Sequence, residues 1–254
     1  MAVELDKSNQ FPWIVLGNPS GAPLVFLAGF PDDCVSAYAK LIDSLKETHL
    51  IIALCLPQYE NGAKVKPWGY NFEELVSMMD NTISAVCPSQ QFTLVVHDWG
   101  AFIGYLYQEK YSHKVTKMIS LDIGIMKKTS VKATLLILLY QWWFAWSYIV
   151  AHTLHMYLGQ VIFMMYFVLV KAVKCLRISH DKKVPRPQNE ISVNMCYPYY
   201  HFWKAYFMGK EVKTKFPSCP LYYMVQSCVP FPCNIIVNCS MARRKLSCFM
   251  TTNF

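Results

Sequence analysis

Residues Phe92 to Tyr107, FTLVVHDWGAFIGYLY, constrain this chain more than any other stretch: an uncharged apolar run, a His97-Asp98-Trp99-Gly100 corner, then a helix-like run. Phe92 to Val96 is β-branched and aromatic, the pattern of a central strand in a parallel sheet covered on both faces. A carboxylate at the tip of such a strand is costly unless the turn presents it to something, which makes Asp98 the first candidate for chemistry. Gly100 lets the chain turn tightly into the helix. In strand-nucleophile-helix corners, small residues near the nucleophile clear space and the backbone N–H after it points into the site. Here that donor is the N–H of Trp99.

The segment VVHDWGA resembles the nucleophile elbow of the α/β-hydrolases that attack with aspartate, the epoxide hydrolase and haloalkane dehalogenase group, in which H-D-W-G or Q-D-W-G replaces G-x-S-x-G. The resemblance implies Asp98 as nucleophile and Trp99 in the position that helps hold halide in dehalogenases. The competing reading of Asp98 is an ordinary helix N-cap. Leu24 to Ala28 reads as a strand running into Gly29-Phe30-Pro31-Asp32-Asp33, which resembles the H-G-F-P oxyanion loop of the same group. That likeness implies that the Phe30 N–H pairs with the Trp99 N–H to hold developing negative charge. Ala28 departs from the family, which usually has His there. Val115 to Leu121 reads as another strand, and Asp122 stands where some of these enzymes carry the acid that orients a histidine. A turn carboxylate is the other reading of Asp122.

The remaining elements follow from periodicity. Phe11 to Leu16, closed by GNPSGAP, reads as a strand and a hairpin. Val35, Tyr38, Leu41, Ile42 and Leu45 recur at helical spacing behind Asp32, a suitable N-cap. Leu50 to Leu56 is a β-run, and residues 72 to 86 form an amphipathic helix with Leu75, Met79, Ile83 and Val86 on one face. Alternating strands and helices of this length specify a mostly parallel sheet covered on both faces. The fold class is therefore α/β, and the resemblance narrows it to an α/β-hydrolase core with an inserted helical lid.

Charge divides the chain. Residues 1 to 126 carry 8 Lys and 13 acids, whereas residues 127 to 254 carry 16 Lys or Arg and 3 acids. Such asymmetry points to different surroundings for the two halves. No nucleic-acid motif accompanies the basic residues, and no nucleic-acid partner is expected. Between Lys132 and Lys171 there is no Asp, Glu, Lys or Arg; two apolar pieces, Thr134 to Ala151 and Leu154 to Val170, lie between basic flanks. Each sits at the lower length limit for crossing a bilayer, so membrane contact through residues 134–170 is one reading. The resemblance supplies the other: a lid over about residues 127–215, roofing a pocket for an apolar small molecule, with tyrosines that polarise an epoxide oxygen. Tyr140, Tyr197, Tyr199 and Tyr200 are the candidates.

MAVELDKSNQ contains no apolar h-region, so a cytoplasmic, non-secreted start is expected. Cys34, Cys55, Cys87, Cys175 and Cys196 are scattered among apolar residues and read as reduced core thiols. The other five fall after residue 218 and match no zinc pattern; no metal or cofactor is expected. Leu221 to Val225 reads as a returning core strand within 216–226. The tail 227–254 contains no Asp, Glu or His, so the final strand, helix and histidine loop implied by the resemblance are expected to be missing, as in a truncated form. An alkyl-enzyme ester needs a base for its hydrolysis, and turnover is therefore expected to be impaired. A non-catalytic binding protein and a membrane-anchored protein are the alternative functions. The residues carry no signature of an oligomeric state.

Overall fold

The computed structural model describes residues 9–60, 63, 65–88, 91–121, 131–176, 190–210, 214–215, 217–225 and 235–239. They divide into two compact units: residues 1–60, 72–127 and 213–254 form one, residues 61–71 and 128–212 the other.

The first unit is built on a seven-stranded sheet. Its strands are β1 (Trp13–Gly17), β2 (Ala22–Leu27), β3 (His49–Leu54), β4 (Phe92–His97), β5 (Val115–Leu121), β6 (Leu221–Val225) and β7 (Ile235–Cys239). They lie in the order β1-β3-β2-β4-β5-β6-β7, with β2 to β6 mutually parallel and both edge strands antiparallel. The inner strands are apolar throughout because both faces are covered; Val25, Phe26, Leu27 and Ile51 to Leu54 are fully buried. Helices α1 (Ala39–Leu45), α2 (Phe72–Val86) and α3 (Trp99–Lys110) connect them.

The register of β2 against β4 carries the functional consequence. Leu24 pairs with Thr93 and Leu27 with Val96, so both strands end at the same edge of the sheet. The loop after β2 and the corner after β4 therefore leave side by side, the position where open α/β sheets bind ligands.

Two local expectations are corrected and one strand is added. Residues 11–22 make no hairpin, because β3 lies between β1 and β2; the turn at Asn18–Gly21, closed by a Gly21 N–H to Asn18 carbonyl bond of 3.0 Å, starts a crossover. Asp33, and not Asp32, caps the turn leading to α1: its Oδ1 accepts from the N–H groups of Val35 (2.8 Å) and Ser36 (2.7 Å). The outer edge of β6 is occupied, since β7 pairs with it from Leu221↔Cys239 to Val225↔Ile235. This strand comes from the Cys-rich tail and runs antiparallel.

The second unit is helical: α4 (Val131–Thr153), α5 (Met156–Leu176), α6 (Tyr197–Phe207) and a 3₁₀ turn, Val193–Cys196. The α4 and α5 helices cross so closely at Gly159 that a Cβ there would overlap Ala151. Trp143 Nε1 donates to the Ile162 carbonyl at 3.0 Å across the pair. Inside, Phe144 meets the rings of Tyr166 (4.7 Å), Tyr199 (5.2 Å) and Phe163 (5.4 Å). Residues 61–71 belong to this unit, which the sequence reading confined to 127–215. Their anchor is the Trp68 carbonyl, bonded to His201 Nε2 at 2.8 Å.

Candidate active site

Asp98 occupies the corner between β4 and α3 with φ 51° and ψ −130°. A non-glycine residue in that region costs about 1–3 kcal/mol and persists only where the surroundings impose it. Two glycines create the room. A Cβ at Gly29 would overlap the Trp99 nitrogen and Asp98 Oδ2, and one at Gly100 would overlap the Leu27 carbonyl. The corner is thus pressed against the end of β2 with no space for a side chain, which is why glycine stands at both positions.

The Asp98 side chain is 3% exposed. Its Oδ2 accepts the Phe30 N–H at 2.6 Å, and the Trp99 N–H also bonds the carboxyl. Burial pushes the Asp98 pKa up to about 6; the charge of His97 and the two amide bonds pull it back, and Asp32 adds a smaller push upward. Competition between desolvation and directed donors is what a carboxylate held for reaction would show. Asp98 stands at the N-cap position of α3, but its side chain makes no capping bond further into the helix.

Around the corner, Phe30 of the loop after β2 is joined to Pro31 by a cis peptide. Trp99 is fully buried, stacked on Phe72 at 5.9 Å and edge-on to Phe102 at 5.8 Å. His97 Nδ1 lies 3.7 Å from Asp32 Oδ2, so this acid of the loop after β2 has a partner at the corner after β4. The sequence showed both residues but not the strand register that unites them. Asp122 lies outside the described residues.

The candidate phenols sit in the helical unit. Tyr140 and Tyr199 are buried rings packed at 6.3 Å from one another and against Phe144. Tyr197 is buried beneath Gly69, whose positive φ of 65° brings the backbone onto the Tyr197 ring. Tyr200 is half-buried, with Lys204 Nζ 5.6 Å from its ring. The sequence reading passed over Tyr148. This residue is fully buried, its ring is 5.5 Å from that of Tyr200, and its hydroxyl has no hydrogen-bond partner among the described residues. Burial raises its pKa, keeping the phenol protonated as a donor. With sixteen tyrosines in the chain, only tertiary structure singles it out. No cluster of metal-ligating side chains occurs among the described residues.

Comparison with known proteins follows the same lines. The family model for the alpha/beta hydrolase fold matches residues 22–159, more than half of the chain. A cis-3-alkyl-4-alkyloxetan-2-one decarboxylase of Shewanella oneidensis is 28% identical over 109 residues, 41% of this chain and 33% of that protein; the match thus spans a third of the relative's length. An epoxide hydrolase of Bacillus megaterium, solved with an inhibitor, superimposes with a TM-score of 0.61 at 22% identity, covering 85% of this chain and 78% of that one. A thermophilic esterase of Thermogutta terrifontis gives 0.57 at 12% identity, over 85% and 74%. At these identities the likeness concerns fold. Relatives with different named chemistries on one scaffold leave the choice of chemistry to the site.

Proposed function

Because this chain belongs to the α/β hydrolase fold family, we propose that it is an epoxide hydrolase-like protein that attacks an apolar small molecule through Asp98 and holds the product as an alkyl-enzyme ester. The observation that carries this reading is the 2.6 Å bond from the Phe30 N–H to Asp98 Oδ2 at a strained strand-helix corner. With Oδ2 tethered, Oδ1 is the oxygen free to attack. Its lone pair forms the new C–O bond, the ring C–O bond of the epoxide breaks, and the departing alkoxide takes a proton. That proton is one that water or a phenol can supply.

Hydrolysis of the ester would build negative charge on Oδ2, which the Phe30 amide already bonds, with the Trp99 amide also on the carboxyl. The missing component is the base. The sequence contains no His after His201, and the tail contains no acid after Glu211. A positioned general base is worth roughly 10² to 10⁴ in rate. The reading is therefore one of capture with impaired turnover, grading into a binding protein if capture fails as well. Intact-mass spectrometry after incubation with an apolar epoxide tests it. One adduct of the epoxide's mass, absent in Asp98→Asn, is expected; steady multiple turnover, or an adduct that survives the substitution, overturns it.

A bilayer-spanning role for α4 has less behind it. Thr134–Thr153 is long and apolar enough to cross, yet 44% of that window is buried inside the fold.

A further inference from the structure

The helical unit carries an apolar surface that its own interior does not use. Along α4, Leu135, Leu139, Trp142 and Trp146 recur every three or four residues on one face and are 40–55% exposed. Trp142 stacks on Trp146 at 6.5 Å and meets Phe207 of α6 edge-on at 5.8 Å, so the stripe continues onto the end of α6. There Tyr206 and Phe207 are 62% and 66% exposed. A contiguous patch of large aromatics is more than a monomer ordinarily leaves in water.

Charge identifies what covers it. Helices α4, α5 and α6 contain no Asp or Glu, while Lys204 and Lys210 stand exposed beside the patch. The half of the chain that holds it carries 16 basic residues against 3 acids. A second copy would set like charge against like. An anionic bilayer meets both features, since Trp and Tyr favour the headgroup boundary and lysines attract acidic lipid. Spanning fits poorly: α6, only 11 residues long, packs on α4 at Trp142 and would draw Lys204 into hydrocarbon, where a Lys is costly.

We propose that the α4–α6 face docks on the surface of an anionic membrane, its rings entering to headgroup depth with Lys204 and Lys210 against lipid phosphates. The proposal is independent of the chemistry assigned to Asp98. Flotation of the full chain with phosphatidylcholine vesicles, with and without phosphatidylserine, tests it. The protein is expected to float with the phosphatidylserine vesicles and to be released by high salt. Lys204→Glu with Lys210→Glu should lower that partitioning at least about tenfold, given roughly 1 kcal/mol per basic residue near the surface. Trp142→Ser with Phe207→Ser should weaken binding to either vesicle, with far-UV circular dichroism verifying the fold; the lysine pair, being exposed, keeps the test open if this variant unfolds. No flotation with phosphatidylserine, resistance to alkaline carbonate, or a dimer by light scattering in place of vesicle binding overturns the proposal.

Discussion

The two units solve the burial of apolar residues differently. The sheet unit hides the side chains of its inner strands on both faces and admits a costly guest, the Asp98 carboxyl, at the common end of β2 and β4. In the helical unit the interior is as well filled, with Phe144, Tyr148 and Phe163 buried, but α4 and α5 each leave a second apolar stripe in water. High apolar content therefore means different things in the two places. In the inner strands of the sheet it marks core; in the helices it marks core on one side and surface on the other.

The largest effect that can break this comparison is at Phe144, which is 3% exposed and ringed by Phe163, Tyr166 and Tyr199. Phe144→Ala should destabilise the helical unit by about 3 to 5 kcal/mol, the range for emptying an aromatic site in a packed core. Urea unfolding followed by near-ultraviolet circular dichroism measures it. A loss below about 1 kcal/mol would mean that this interior collapses easily and is no core of the kind the sheet unit has.

Next comes the guest carboxyl. Burial raises the Asp98 pKa to about 6, against 3.8 for an ordinary Asp, so the charged form is disfavoured on folding. The sign follows: this group lowers stability above pH 6, and stability returns as pH falls from 6 toward 4. Asp98→Asn removes the penalty and should stabilise the protein by about 3 kcal/mol at pH 7.5, shrinking toward zero near pH 4, since one pKa unit is worth about 1.4 kcal/mol. Adduct formation by the native protein should fall about tenfold per pH unit below 6, as the carboxylate is lost. Thermal melts across pH check the first part and adduct mass the second. A native protein more stable than Asp98→Asn at pH 7.5 would show that the Phe30 and Trp99 amides outweigh desolvation.

What the sequence made legible also differs between the units. Helix α2 over 72–86 and strands β5 and β6 have the ends the pattern specified, and β4 extends its run by one residue. In these elements local periodicity and burial agree. The turns that carry Phe30, Asp98 and Trp99 were legible because glycine and proline punctuate them. The pairing of His97 with Asp32 was not, since it depends on a register between strands nearly seventy residues apart. Tyr148 was hidden for a similar reason: α4 is apolar around its whole circumference, and no periodicity separates its inner face from its outer one. Strand β7 escaped because its pairing with β6, not an internal pattern, defines it.

The smallest expected effect sharpens the comparison from the outer side of the helices. Val168 lies in the middle of α5 and is 66% exposed. Replacing it with Gln gives up the buried third of a valine, a fraction of the roughly 1.5–3 kcal/mol that full burial confers. Against this, the β-branched side chain restricts χ1 in a helix, and exchange for Gln recovers a few tenths of a kcal/mol of propensity. Gln also keeps a methylene stem over the contacts that remain. The two terms nearly cancel, so Val168→Gln should change stability by no more than about 0.5 kcal/mol, as surface substitutions do. Thermal unfolding of the two proteins side by side measures the difference. A loss of about 2 kcal/mol, the size expected for a buried valine, would show that this stripe of α5 is packed in the folded protein. The outer face of the helices would then be core like the sheet's, and the distinction between the two units would fail at this element.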